Sequence, residues 1–234
     1  IARVVSFGSR PGSTVRLQGH TAFAGGSTVE AEVGGKRLDY TVGIAGAHWV
    51  MNSLAVVAVA HALGADVAEV AAALAEIQPL KGRGQRHRVE CGAGTFELID
   101  DSYNASPASM RAAFQTLGAS AAGAHGRRIA ALGDMLELGE RSRELHAALA
   151  ADLVAAGVDL VFTAGPQMRA LHDQLPPALR GSHAAAAGDL IASLREALAG
   201  GDVVLVKGSN GSRMGKVVEA LLAGAAAPAR AANG

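Results

Sequence analysis

The chain is short of aromatic residues, of cysteine and of net charge, and each shortage narrows what it can be. Five Phe, two Tyr and one Trp leave the core to Ala, Val and Leu, although half of the 234 residues are apolar. A single cysteine, Cys91, excludes an intramolecular disulfide and fits a reducing compartment. The 21 Lys and Arg balance the 21 Asp and Glu, so no overall field draws the chain to nucleic acid or to an anionic membrane. Long apolar runs are missing too. The most apolar stretch, 54–63, is too short to span a bilayer and contains His61. The opening Ile1-Ala2-Arg3-Val4-Val5 does not read as a secretory leader. These features lead to the expectation of a cytoplasmic monomer with no membrane anchor and no nucleic-acid partner. An initial Ile in place of Met, and a start inside what reads as a strand, point to a piece of a longer protein.

Residues 4–7, 14–17, 21–24, 27–33 and 37–42 read as strands, with Gly25-Gly26 and Gly34-Gly35 at hairpin positions. They predict an antiparallel, half-exposed sheet edge. The period then turns helical: Trp49, Leu54, Val57 and Ala58 define one helix that Gly64 stops. Asp66 is placed to cap a second helix over 67–77, ended by Pro79. The polar run 81–86 reads as a hinge and the best domain boundary. Beyond it, apolar strands at 96–99, 128–132, 160–163 and 203–206 alternate with helices at 107–117, 141–156, 167–175, 188–198 and 215–222. That alternation implies an α/β fold with a mostly parallel, doubly covered sheet and right-handed crossovers. Ligands of such sheets gather outside the carboxyl ends of the strands. Segments 100–104, 133–134, 165 and 207–209 should therefore surround one crevice. The Ala-rich stretch 225–234 reads as a flexible tail.

Asp100-Asp101-Ser102-Tyr103-Asn104-Ala105-Ser106-Pro107 follows a strand and opens a helix, with Ser106 as cap and Pro107 in the first turn. Its polar groups project where a ligand with hydroxyls or amines could be held. The bland alternative is a capping turn and no more. Lys207-Gly208-Ser209-Asn210-Gly211-Ser212 could hold an anion on its amides and its ammonium. It is not a Walker loop, because Asn210 stands where Gly is needed and Val217 where Ser or Thr is needed. In 133–139, Glu137 reads as structural and Asp134 stays open between structure and substrate. His146 reads as a packed helical residue. His48 and Asn52 lie one helical turn apart and share a face. No zinc spacing and no Ser-His-Asp arrangement is legible.

Taken in order, Gly46-Ala47-His48 with Asn52-Ser53-Leu54-Ala55, then 82–86, 100–105, 132–139 and 206–209, resemble the carboxy-terminal portion of the D-alanyl-D-alanine-adding branch of the Mur ligase family. The resemblance implies the second half of a central ATP-binding domain at 1–80 and a Rossmann-like domain at 87–224. It implies an ATP- and magnesium-dependent enzyme of peptidoglycan synthesis that joins D-alanyl-D-alanine to UDP-N-acetylmuramoyl-tripeptide through an acyl phosphate. It implies Asn52 near the adenine, Arg83 toward the ATP phosphates, and Asp101 on the ribose hydroxyls. Ser102, Tyr103, Asn104 and Ser209 would face the dipeptide, Lys207 the reacting groups, and His48 the magnesium. Trp49, Ser106, Asn210 and Gly215 depart from the usual pattern. The first domain, the phosphate loop and the magnesium-binding acid are expected before Ile1, so this chain alone is expected to lack ligase activity. The rivals are a sister Mur-type or folylpolyglutamate-type ligase, and a non-catalytic binding module.

Overall fold

The computed structural model describes residues 4–23, 25–92 and 94–224, in two compact units that part between Pro79 and Leu80. In the first unit a four-stranded sheet runs in chain order: β1 (Phe7–Gly8), β2 (Val15–Phe23), β3 (Gly26–Val33) and β4 (Lys36–Val42). Alternation puts Val29, Ala31, Val33, Tyr40 and Val42 on one face. There they pack with Val50, Leu54 and Val57 of α1 (Ala47–Leu63) and Ala71 and Leu74 of α2 (Val67–Leu74). Glu30, Glu32, Arg37 and Asp39 occupy the polar face, where Arg16 pairs with Glu32 at 3.1 Å and Arg37 with Asp39 at 2.8 Å.

Three expectations for this unit are corrected. The sheet is not wholly antiparallel, because β1 is two residues long and pairs parallel to β2. The strands expected at 14–17 and 21–24 are one strand, which absorbs a register shift between Leu17 and Gly19 as a bulge; Ala24 itself lies outside the described residues. Helix α2, capped by Asp66 as expected, stops at Leu74 and not at 77. The Leu74 carbonyl accepts from the Gly43 amide at 3.0 Å. A Cβ on Gly43 would meet the Ile77 and Ala75 carbonyl oxygens at 2.4 and 2.6 Å, so only glycine lets the two chains approach this closely.

The second unit is built on a six-stranded sheet in the order β5-β6-β10-β7-β8-β9. The strands are β5 (Gln85–Cys91), β6 (Gly94–Asp101), β7 (Arg128–Gly133), β8 (Leu160–Ala164), β9 (Arg180–Ala184) and β10 (Val203–Lys207). All neighbours pair parallel except the β5–β6 hairpin. Helices α3 (Pro107–Gly118), α4 (Ser142–Ala155) and α5 (Met168–Gln174) cover one face; α6 (Ala187–Ala197) and α7 (Gly215–Gly224) cover the other. Strand β10 shows how the pattern serves both layers. Val203 and Leu205 join Phe114, Leu149 and Leu171 on one side, while Val204 and Val206 join Leu190, Leu194 and Val217 on the other. Burying each such side chain stabilises the fold by about 1.5–3 kcal/mol before entropy is counted.

Ser106 caps α3 in a reciprocal box with Ser109, and Pro107 opens the helix, as the sequence predicts. The hinge expectation needs revision at its end: Gln85 and Arg86 are the first residues of β5, paired with Asp100 and Ile99. Strands β5 and β9 were not expected at all. Among the described residues no helix is long and apolar enough to cross a membrane. The tail expected at 225–234 lies outside the described residues.

Candidate functional site

Because β6, β7, β8 and β10 are parallel, their carboxyl ends share one edge of the sheet. Asp101 lies opposite Lys207 in the β6–β10 register, and Lys207 lies opposite Leu132 in the β10–β7 register. The Asp101 and Lys207 turns are therefore neighbours, as the sequence reading requires. Lys207 Nζ donates to Asp101 Oδ2 at 2.6 Å and to the Asn104 carbonyl at 2.9 Å. The lysine ends the most buried strand, and its side chain is only 3% exposed; Asp101 keeps 26%. A charge-assisted bond this short fixes the loop after β6 to the end of β10.

The neighbouring carboxylate, Asp100, is buried. Its Oδ1 accepts from the Ser102 amide at 3.2 Å and the Ser102 hydroxyl at 2.6 Å, and its Oδ2 accepts from the Gly82 amide at 3.1 Å. Ser102 is thus buried and its hydroxyl is engaged within the protein. Tyr103 is exposed, and the Arg83 guanidinium lies 4.4 Å above its ring centroid, a cation–π contact. Asn104 is exposed, with its side-chain oxygen accepting from the Ala105 amide at 2.8 Å. Ser209 is buried and ties three loops together. Its hydroxyl donates to the Ala105 carbonyl at 3.4 Å and accepts from the Leu136 amide at 3.0 Å, and its amide donates to the Asp134 carbonyl at 3.0 Å.

Asp134, left open by the sequence, has a structural use. Its carboxylate accepts from the amides of Met168 at 2.8 Å and Gln167 at 3.3 Å, at the start of α5. Glu137 sits at φ 63°, a left-handed conformation unusual for a side-chain-bearing residue, in the loop after β7. His146 is buried, accepts from the Met135 amide at its Nε2 (2.9 Å) and faces the Ser142 carbonyl with Nδ1 (2.7 Å). Both ring nitrogens are engaged within the protein, which makes this a structural imidazole.

A cleft of about 360 Å³ opens beside these loops. Leu136, Gly165, Ala185 and Ala187 supply small and apolar walls, and Arg213 and Lys216 supply two exposed cations. Sequence reading assigned neither to the site: Lys216 entered only with Gly215 in the rejected Walker comparison, and Arg213, at φ 59° before the start of α7, lies in no recognisable motif.

In the first unit, His48 and Asn52 both stand exposed on α1, with the His48 ring centroid 5.5 Å from that of Trp49. Among the described residues no three His, Cys, Asp or Glu side chains converge so as to hold a metal ion. The side chains present therefore do not by themselves build a magnesium cage.

The sequence profile described as "Mur ligase, glutamate ligase domain" matches residues 82–210. Proteins named UDP-N-acetylmuramoyl-tripeptide--D-alanyl-D-alanine ligase are similar to this chain. That of Rickettsia prowazekii is 28% identical, over 94% of this chain and 47% of its own length. That of Mycobacterium bovis is 38% identical, over 78% of this chain and 39% of its own. Among solved structures, MurF from Acinetobacter baumannii superposes with a TM-score of 0.78 at 26% identity, covering 94% of this chain and 46% of that one. MurF from Thermotoga maritima, solved in complex with ADP, gives 0.72 at 25% identity, over 93% and 48%. The chain spans about half or less of the length of the relatives it matches.

Proposed function

Because the chain belongs to the Mur ligase family, we propose that it is the carboxy-terminal part of an ATP-dependent ligase that joins D-alanyl-D-alanine to UDP-N-acetylmuramoyl-tripeptide in peptidoglycan synthesis. The observation that carries the reading is the Lys207–Asp101 bridge, which sets the two family-like turns against each other at one strand edge. The names of the relatives support the choice of substrates.

In this reading the terminal carboxylate of the tripeptide becomes an acyl phosphate at the expense of ATP, and the dipeptide amine then displaces phosphate. Asp101 faces the ribose hydroxyls, Arg83 the phosphates and Asn52 the adenine. Lys207 holds Asp101 in place and adds a positive charge where phosphoryl charge develops. Tyr103 and Asn104, both exposed, are the contacts for the incoming dipeptide. Ser102 and Ser209, whose hydroxyls are engaged at 2.6 and 3.0 Å, serve that side by holding its loops. The small apolar walls of the cleft suit two methyl side chains, and Arg213 and Lys216 suit a terminal carboxylate. Magnesium would supply Lewis-acid stabilisation of the phosphates; His48 is this chain's one proposed contributor, with the remaining ligands supplied from outside these residues. A monomer acting in the cytoplasm completes the proposal.

The test is phosphate release from ATP by the longer protein containing this chain, with the tripeptide nucleotide and either D-alanyl-D-alanine or single amino acids. Turnover that requires the dipeptide is the expected result. Turnover with single amino acids and none with the dipeptide would move the chain to a sister branch. The 234 residues alone, assayed the same way, are expected to release no phosphate.

A further inference from the structure

We propose that Asp100 is a positioning residue that makes the linker carrying Arg83 and the loop carrying Asp101 to Asn104 move as one body. The inference rests on geometry, and its use in catalysis rests on the ligase reading above. A buried aspartate at the end of a strand needs one oxygen to close a local turn, and the bond from the Ser102 amide to Oδ1 does that. The second oxygen is not explained by a local turn. It accepts from Gly82, eighteen residues earlier, at 3.1 Å. Three further contacts follow the same line. The Gly84 amide donates to the Asp100 carbonyl at 2.8 Å, the Tyr103 amide donates to the Gly82 carbonyl at 3.0 Å, and Arg83 stacks on Tyr103.

Glycine at 82 is what lets the linker approach. Its φ is +74°, and a Cβ there would meet Tyr103 Cβ at 2.9 Å and the Tyr103 amide nitrogen at 3.1 Å. The loop is in turn fastened to β10, because Lys207 grips both Asp101 and the Asn104 carbonyl. A side chain 2% exposed thus joins linker, loop and sheet. The run 81–86, polar and glycine-rich, looks free in the sequence, yet from Gly82 onward it is stapled. Before Gly82 the ties are lighter: Lys81 makes an exposed pair with Glu219 at 3.1 Å, and the Leu80 carbonyl accepts from the Arg83 amide at 2.9 Å. Arg83 and Asp101, which the ligase reading sets on the phosphates and the ribose of one nucleotide, would then arrive together and not one after the other.

Amide hydrogen exchange on the 234-residue chain tests this, comparing the native sequence with Asp100→Asn and with the milder Ser102→Ala. Asparagine keeps the size but offers one acceptor oxygen in place of two. A lost bond to a buried carboxylate predicts exchange about tenfold faster or more at Gly82 and Ser102 in Asp100→Asn. Tyr103 and Gly84, which bond only to backbone, should quicken with them, while Leu205 in β10 stays unchanged. In Ser102→Ala, which touches only the loop side, Gly82 should quicken as well. A native Gly82 amide that exchanges like an open linker would overturn the proposal. So would a Ser102→Ala chain whose loop loosens while Gly82 and Gly84 stay slow. Titrating ADP into the longer protein containing this chain, native and Asp100→Asn, separates the two readings. Weaker ADP binding in Asp100→Asn extends the coupling to nucleotide; no ADP binding to the native longer protein, with the exchange pattern intact, removes support from the ligase reading and leaves the Asp100 coupling standing.

Discussion

Asp202, at the opposite end of β10 from Lys207, gives a sharp stability prediction. Its side chain is fully buried, and its two oxygens take four N–H donors. Oδ1 accepts from the Arg127 amide at 2.8 Å and Arg127 Nε at 3.3 Å; Oδ2 accepts from Arg127 Nη2 at 2.7 Å and the Ala199 amide at 2.9 Å. Asp202→Asn leaves one oxygen for these donors and turns an NH2 toward the rest. Breaking a buried ion pair from one side costs about 3–5 kcal/mol. Arg127 is 39% exposed, so water recovers part of its charge and the net cost falls to about 2–3 kcal/mol. For a domain of this size the melting temperature should drop by about 5–10 °C.

The same variant has a pH signature. Burial pushes the Asp202 carboxyl up, but Arg127 and the amides of Ala199 and Arg127 outweigh it and hold the group below the usual carboxylate range. The native state therefore binds fewer protons here than the unfolded chain does, and stability rises with pH across that interval. The contribution is complete above the unfolded value of about 3.9 and is lost as pH falls through the lower folded value. Thermal melts of both chains from pH 7 downward should show a constant gap to about pH 5 and a shrinking gap below about pH 4. A variant that melts with the native chain at pH 7, or a gap as wide at pH 3 as at pH 7, would refute the reasoning.

Other groups yield further predictions. Asp101→Asn should destabilise more than Lys207→Met, by about 1–2 kcal/mol in urea unfolding, because the ammonium left behind is out of reach of water and the carboxylate is not; equal costs or the reverse order would contradict the geometry. His172 and His183 both face the Thr163 hydroxyl, at 3.5 and 2.9 Å, with ring centroids 5.5 Å apart. Burial lowers both, with the positive charge of His183, Arg169 and Arg180 acting on His172 and that of Arg169 on His183, against opposing acids at Asp173 and Asp134. The unfolded state then takes up more protons, so stability should fall as pH drops from about 7 through about 6.5, and the double His172→Gln, His183→Gln chain should lose that slope. A slope unchanged in the double variant would assign it elsewhere. Burial, then the Asp202 charge, raises the Cys91 thiol; iodoacetamide at pH 8 should alkylate it more slowly than a free thiol, and a faster rate by mass spectrometry would count against that.

What the sequence discloses and what it hides follow from the same physics. Strands β7, β8 and β10 were legible because each is a short, mostly apolar run covered on both faces, the fully buried Val203-Val204-Leu205-Val206 being the clearest, and β6 was legible from Phe96, Leu98 and Ile99 around Glu97. Once those strands are parallel, their ends must share an edge, so the gathering of the 100–104 and 207–209 turns around one crevice was legible, while the direct neighbourhood of β6 and β10 was not. Strands β5 and β9 were not. Gln85-Arg86-His87-Arg88 runs polar through most of one, and Arg180, Gly181, Ser182 and His183 make up nearly all of the other, so neither offers the apolar alternation by which a half-buried strand is read. Both are edge strands, held by backbone pairing more than by apolar burial. Asp100 is an intermediate case. Its place in the alternation sets it on the same face as the buried Leu98 and opposite Asp101, so its burial could have been read from β6 alone. Its partner could not. The bond to Gly82 spans eighteen residues and exists only because β5 turns back against β6 and brings the linker past the loop. A polar strand invisible to hydrophobic pattern is thus what converts an apparently free linker into part of the site.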